Sequence, residues 1–168
     1  MTDVEKCVAC GRPVPEGRQI CPECEETNAV KVIIPGKPFG KERPRFAGHA
    51  YTPKRTETAE RVIGWYYRMQ AGNRVFRLPS ITIVAVFEPP KSTRKDTRAA
   101  MLAGEIRPTV KPDWDNIGKL VCDALNGIAY TDDKNIVEAT VIKKYGKQSQ
   151  TEIYIREAVE KPKGDENK

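Results

Sequence analysis

Ile117, Leu120, Val121, Ala124, Leu125 and Ile128 fall on one stripe of a helix expected to start near Asn116 and to stop at Asn126-Gly127. A helix apolar along one side must bury that side against another layer of structure. Strands to build that layer flank it. AVKVIIPG (residues 29–36) and ITIVAVFE (81–88) read as strands ended by Pro-Gly and Pro-Pro. Ile136–Lys144 and Thr151–Arg156 alternate in the manner of strands, and YGKQSQ between them predicts a hairpin. A second helix is expected over Thr56–Gln70, where Val62, Ile63, Tyr66 and Met69 recur at helical spacing before Gly72, and a short one around Asp96–Ala103. The order strand, helix, strand, helix, strand, strand predicts an α+β fold, a small mixed sheet packed with two main helices.

At 168 residues the chain accommodates one such domain and a small appendage. The appendage announces itself in Cys7, Cys10, Cys21 and Cys24: two CxxC pairs whose thiolates suit one tetrahedral Zn²⁺, with Gly and Pro between them for a returning loop. Two disulfides or unrelated free thiols are the alternatives, disfavoured by the expected cytoplasmic location and by the paired spacing. The expected division is therefore a zinc ribbon-like module over 1–27, the main domain over 28–157, and a charged, frayed tail over 158–168. Cys122 stands apart inside the helical stripe and is expected to be a buried structural residue. No run of about 18 apolar residues is present, and the first ten residues, MTDVEKCVAC, lack the basic start and apolar stretch of a signal peptide, so a cytoplasmic chain with no membrane span is expected.

The formal net charge of +6 is unevenly spread: residues 1–30 carry three Lys/Arg against six Asp/Glu, residues 35–77 ten against three. A basic block of this kind points to a polyanion, nucleic acid above all. Just beyond it, residues 111–133 hold five aspartates, with Asp113 beside Asp115 and Asp132 beside Asp133. Like charges this close oppose their own ionisation. If the segment enters the helix in extended form, Asp113 and Asp115 point to one side and Trp114 to the other. An N-cap role explains Asp115 alone, and turn chemistry explains the Asp132-Asp133 pair. Neither accounts for Asp113 together with Lys119, a cation in the first helical turn, where the dipole disfavours it; a Lys119–Asp123 surface pair is a further alternative. A divalent ion such as Mg²⁺, which takes hard oxygen ligands, resolves the conflict and makes Lys119 intelligible as an electrostatic stabiliser of phosphate chemistry. Other chemistries fit poorly. The single histidine, His49, sits in a Gly-flanked loop and supports no triad, and GKPFGK (36–41) lacks the spacing and the Ser/Thr of a P-loop.

The runs KPDWDNIGKLVCDALNG and AYTDDKNIVE, with IPGKPFGKERPRF and AYTPKRT upstream, resemble the RusA family of Holliday junction resolvases, in the form common in phages and Gram-positive bacteria, over about residues 31–157. The resemblance implies a homodimeric, Mg²⁺-dependent endodeoxyribonuclease of recombination and repair. Such an enzyme hydrolyses one phosphodiester in each of two opposed strands of a four-way DNA junction. By position it implies Asp113, Asp115 and Asp133 as the catalytic, Mg²⁺-holding carboxylates, Lys119 as the essential lysine and Asp132 as a neighbour. It also implies Lys41, Arg43 and Arg45 of GKERPRF as DNA contacts, with a merely solubilising loop as the alternative; Lys37, Lys54 and Arg55 are weaker candidates. Phe46, Tyr51 and Trp114 suit stacking on unpaired bases, yet such residues are more often core or strand filler. The four-cysteine module departs from the family. It would extend DNA contact, dock a replication or recombination protein, or cap the fold, and its acidic charge makes the first of these least attractive. Two rival readings are a branched-DNA-binding module without catalysis and a nuclease acting mainly on flaps or replication forks.

Overall fold

The computed structural model of the chain describes residues 13–14, 29–43, 45–46 and 48–158. Cys7, Cys10, Cys21 and Cys24, with the module they would form, and the tail past Ala158 lie outside the described residues, as does the side chain of Arg45. The elements are β1 (Val30–Pro35), β2 (Arg45–Phe46), β3 (Ala50–Tyr51), α1 (Lys54–Ala71), β4 (Pro79–Phe87), α2 (Lys95–Leu102), α3 (Trp114–Leu125), a 3₁₀ turn (Asp133–Asn135), β5 (Glu138–Tyr145) and β6 (Gln150–Glu157).

All nine residues of β4 are buried, and this determines the sheet. A strand covered on both faces must also satisfy its backbone N–H and C=O groups on both edges, because no water reaches them. β4 does so between β6, antiparallel to it, and β5, parallel to it, giving a four-stranded mixed sheet of order β1-β6-β4-β5. Ile83 accordingly stands opposite Ile153 on one side and Val141 on the other. The fold class is the expected one, whereas the expected β5–β6 hairpin is not formed. β4 lies between the two strands, and the YGKQSQ connection crosses its end instead of closing a two-stranded turn. Gly146 makes that crossing feasible. Its N–H donates to Phe87 O at 2.9 Å, and a Cβ placed there would stand 2.4 Å from Val86 Cγ1.

α1 and α3 cover one face of the sheet. The stripe Ile117, Leu120, Val121, Ala124 and Leu125 is buried as its spacing predicts, against Ile81, Ile83, Ile153 and Ile155. Each large aliphatic side chain so buried contributes about 1.5–3 kcal/mol. α1 is buried at Ile63 and Tyr67, while Val62, Trp65 and Met69 of the same helix face outward. On the other face Val84, Val86 and Tyr154 form a smaller cluster. Cys122 is half-buried and in no disulfide, and burial pushes its thiol up to about 11, which keeps it protonated. No helix among the described residues is long and apolar enough to cross a membrane.

Candidate active site

α3 begins at Trp114, two residues earlier than the apolar stripe suggests, and Asp113 occupies the N-cap with φ −71° and ψ 152°. The extended entry that would have aligned Asp113 with Asp115 is therefore absent: Asp115 already lies in the first helical turn. The physical reason is the helix dipole, which favours carboxylates at and just inside a helix start. The backbone that delivers Asp113 is fixed from outside. Lys143, projecting from β5, donates its ammonium to the carbonyls of Val110 and Pro112, the latter at 3.1 Å.

The five aspartates sort by their partners. Asp132 caps the 3₁₀ turn, accepting from Lys134 N at 3.0 Å and pairing with its ammonium at 3.2 Å. Those two contacts, the backbone one first, hold its carboxyl below the usual range. Asp123 is ion-paired with Lys41, which also reaches Glu60 at 3.5 Å. Lys119 pairs with Asp115 at 3.2 Å, not with Asp123, and this hydrogen bond is the main reason that the Asp115 carboxyl is held low. Asp113 and Asp133 are exposed and have no ion pair with lysine or arginine among the described residues. Their charge is thus not consumed within the fold.

Asp115, Lys119 and Cys122 share one side of α3 at i, i+4 and i+7. The Asp133 carboxylate acts on Cys122 and on the buried phenol of Tyr130, whose Oη donates to Cys122 O at 2.7 Å. Cys122 lies two turns from Asp115, about 10 Å along the axis, and Lys119 stands between. No three His, Cys, Asp or Glu side chains among the described residues are gathered into a metal-holding group. Within the described residues of one chain the acidic groups thus form no closed cage.

Opposite Asp113 stands the basic loop. A cleft of about 670 Å³ runs between them, with Lys37, Arg43, Arg55 and Lys111 on its walls beside Asp113 and Asn116. Two contacts dock the loop on the helix layer: Lys41 N donates to Asn116 O at 2.9 Å, and Glu42 N to Thr56 Oγ1 at 3.3 Å. Lys41 also lines the cleft, but its ammonium is occupied. Burial alone would lower its pKa, and Asp123 and Glu60 more than offset this, holding it above its ordinary value. Lys54 lines a neighbouring cavity with Lys37 and Arg55. Phe46 (80% exposed), Tyr51 (40%) and Trp114 (66%) belong to no core; Trp114 stands at the site between Asp113 and Asp115, and His49 lies against Tyr51 in the β2–β3 ribbon.

The model of the family described as Endodeoxyribonuclease RusA matches residues 35–156, more than half of the chain. The chain belongs to the RusA endodeoxyribonuclease family. A relative described as an uncharacterized protein, YqaN of Bacillus subtilis (strain 168), is 30% identical over 138 residues, covering 77% of this chain and 97% of that protein. RusA membership makes this chain an endodeoxyribonuclease of the Holliday junction resolvase type, and the matched span contains the acidic helix start, the basic loop and the Asp132-Asp133 turn. Sequence reasoning missed two residues of this candidate site. Lys111 adds a cation to the cleft wall, and its place directly before Pro112-Asp113 was a usable signal. Lys143 was hidden in a Lys-Lys pair of an alternating strand, and only the packing of β5 beneath the α3 entry reveals its task.

Proposed function

We propose that this RusA-family enzyme is a Mg²⁺-dependent homodimer that nicks two opposed strands of a four-way DNA junction, leaving 5′-phosphate and 3′-hydroxyl ends. The observation that carries this reading is Asp113: exposed, without a cationic partner among the described residues, and on a cleft where Lys37, Arg43, Arg55 and Lys111 outnumber the acids, Asp113 itself and Glu42. An unneutralised carboxylate among cations suits a substrate that brings its own negative charge and a metal ion.

Asp113, Asp115 and Asp133 are hard oxygen donors, the set Mg²⁺ takes, and that ion is commonly held by one or two carboxylates together with water and substrate phosphate. Asp113 and Asp115, both at the start of α3, supply the one or two carboxylates such an ion needs, and Asp133 would add a third. When bound, it neutralises the crowded charge and polarises the scissile phosphate. The chain's own groups supply the remainder. Asp115, held ionised by Lys119, is a ready ligand across the physiological pH range. The Lys119 ammonium, beside it at 3.2 Å, stabilises negative charge that builds on the phosphate oxygens. Lys37, Arg43, Arg55 and Lys111 grip backbone phosphates and set the strand's register without reading bases, with Lys54 beside Lys37 and Arg55 and Arg45 as a further DNA contact. Two such sites related by a two-fold axis match the two symmetry-related strands of a junction. We assign one Zn²⁺ to Cys7, Cys10, Cys21 and Cys24, an N-terminal module that docks a protein partner, and a cytoplasmic setting in a bacterial or phage-infected cell.

Cleavage of a synthetic four-way junction, beside duplex, flap and fork controls, tests the reading. Paired nicks that require Mg²⁺ and vanish with chelator are expected. Junction binding without metal-dependent cutting would identify a non-catalytic binder, and equal cutting of flaps or forks would move the substrate to those structures. Lys41 provides a second test. Because its charge is consumed by Asp123 and Glu60, Lys41→Met should leave the salt dependence of junction binding unchanged, whereas Arg43→Met should reduce the slope of log K against log[salt] by about 0.9. Equal slopes for both variants would return Lys41 to the DNA surface.

A further inference from the structure

Lys37, Phe39 and Arg55 form a wall shared by the Asp113 cleft and a second cavity of about 430 Å³. Ile63 and Leu120 contribute its apolar floor, and Thr58 and Val62, exposed and one turn apart on α1, border its mouth. Lys54 joins Lys37 and Arg55 at the rim, and no carboxylate is among the described lining residues. The Arg55 guanidinium lies 5.5 Å from the Phe39 ring centroid and reaches Glu42 only at 3.9 Å.

An apolar recess beside an aromatic ring favours a flat, weakly polar group, and three cations at its edge favour phosphates. A nucleotide carries both. In continuous duplex DNA the base is stacked and paired, and extracting it costs a few kcal/mol; where pairing is already interrupted the cost is least. We propose that this cavity receives one unstacked nucleobase from the crossover of the junction, with Lys54 and Arg55 on the phosphates that flank it. Through the shared wall, the strand carrying that base continues into the cleft of Asp113. The inference rests on the junction-resolvase reading above and adds a selection step: a substrate that can release a base is seated, and intact duplex is not.

Junctions carrying 2-aminopurine at single crossover positions, mixed with the full-length protein in Ca²⁺ without Mg²⁺, test this directly. Emission should rise at one position on binding to the wild type. Thr58→Phe, which fills the mouth, and Val62→Glu, which makes it acidic, both alter exposed helix positions outside the core. Both should abolish the rise and weaken junction binding about 5- to 10-fold, as expected for one lost base contact, with duplex binding and thermal melting unchanged. Persistence of the rise in both variants would overturn the cavity assignment, as would wild-type junction binding with no rise at any position; either result leaves the resolvase reading intact. Equal wild-type affinity for junction and duplex would overturn both. Conversion of either variant from dimer to monomer in light scattering would assign the cavity to a second copy of the chain and overturn the proposal.

Discussion

Asp113→Asn is expected to reduce junction cleavage about 10³-fold, equivalent to roughly 4 kcal/mol of transition-state stabilisation, while junction binding is retained. Asparagine has nearly the same shape and is an equally good N-cap, so the start of α3 should survive the change. Asp113 also forms no side-chain capping hydrogen bond that would be lost. What disappears is a negative charge on the wall of the basic cleft, and with it a hard ligand for the proposed Mg²⁺. Metal-free junction affinity should rise slightly, since a carboxylate repelling phosphate has been neutralised. Asp132→Asn is the matched control: an amide oxygen still accepts from Lys134 N, so cleavage should stay within a few-fold of wild type. Single-turnover cleavage of a labelled junction measures both, and an Asp113→Asn enzyme that cuts at the wild-type rate would remove Asp113 from the active site.

Gly40→Ala should damage stability and activity together. A Cβ at residue 40 would stand 2.6 Å from Pro112 Cβ and 3.1 Å from Asn116 Cβ. Neither neighbour yields easily, because Pro112 is held through its carbonyl by Lys143 and Asn116 belongs to the first turn of α3. The loop must lift instead, stretching the 2.9 Å bond from Lys41 N to Asn116 O. Overpacking of this kind costs about 1–3 kcal/mol, which for a domain of this size lowers Tm by about 5 °C. The displaced loop carries Lys37 and Arg43 away from Asp113, so cleavage should fall further than stability alone explains. Thermal melting and cleavage assays on the same preparation check this, and a variant indistinguishable from wild type in both would show that the loop has slack at Gly40.

The linear order of residues determined the main elements of this protein and its family. The spacing of Ile117, Leu120, Val121, Ala124 and Leu125 dictates α3, the apolar run of β4 dictates a fully covered strand, and the motif around Asp113 and Asp133 carries the family. These features are local, fixed by helical or strand periodicity and by chemistry along a short stretch of chain. Pairing is not local. Which strand lies beside β4 was settled by the need to satisfy both of its edges, and that need placed β5 there and denied β5 and β6 their hairpin. The same packing brought Lys41 to Asp123, Lys119 to Asp115, and Lys143 beneath Pro112. Ion pairs of this kind are chosen by which charges the tertiary structure brings within reach and out of full solvation, and separation along the sequence gives no hint of it.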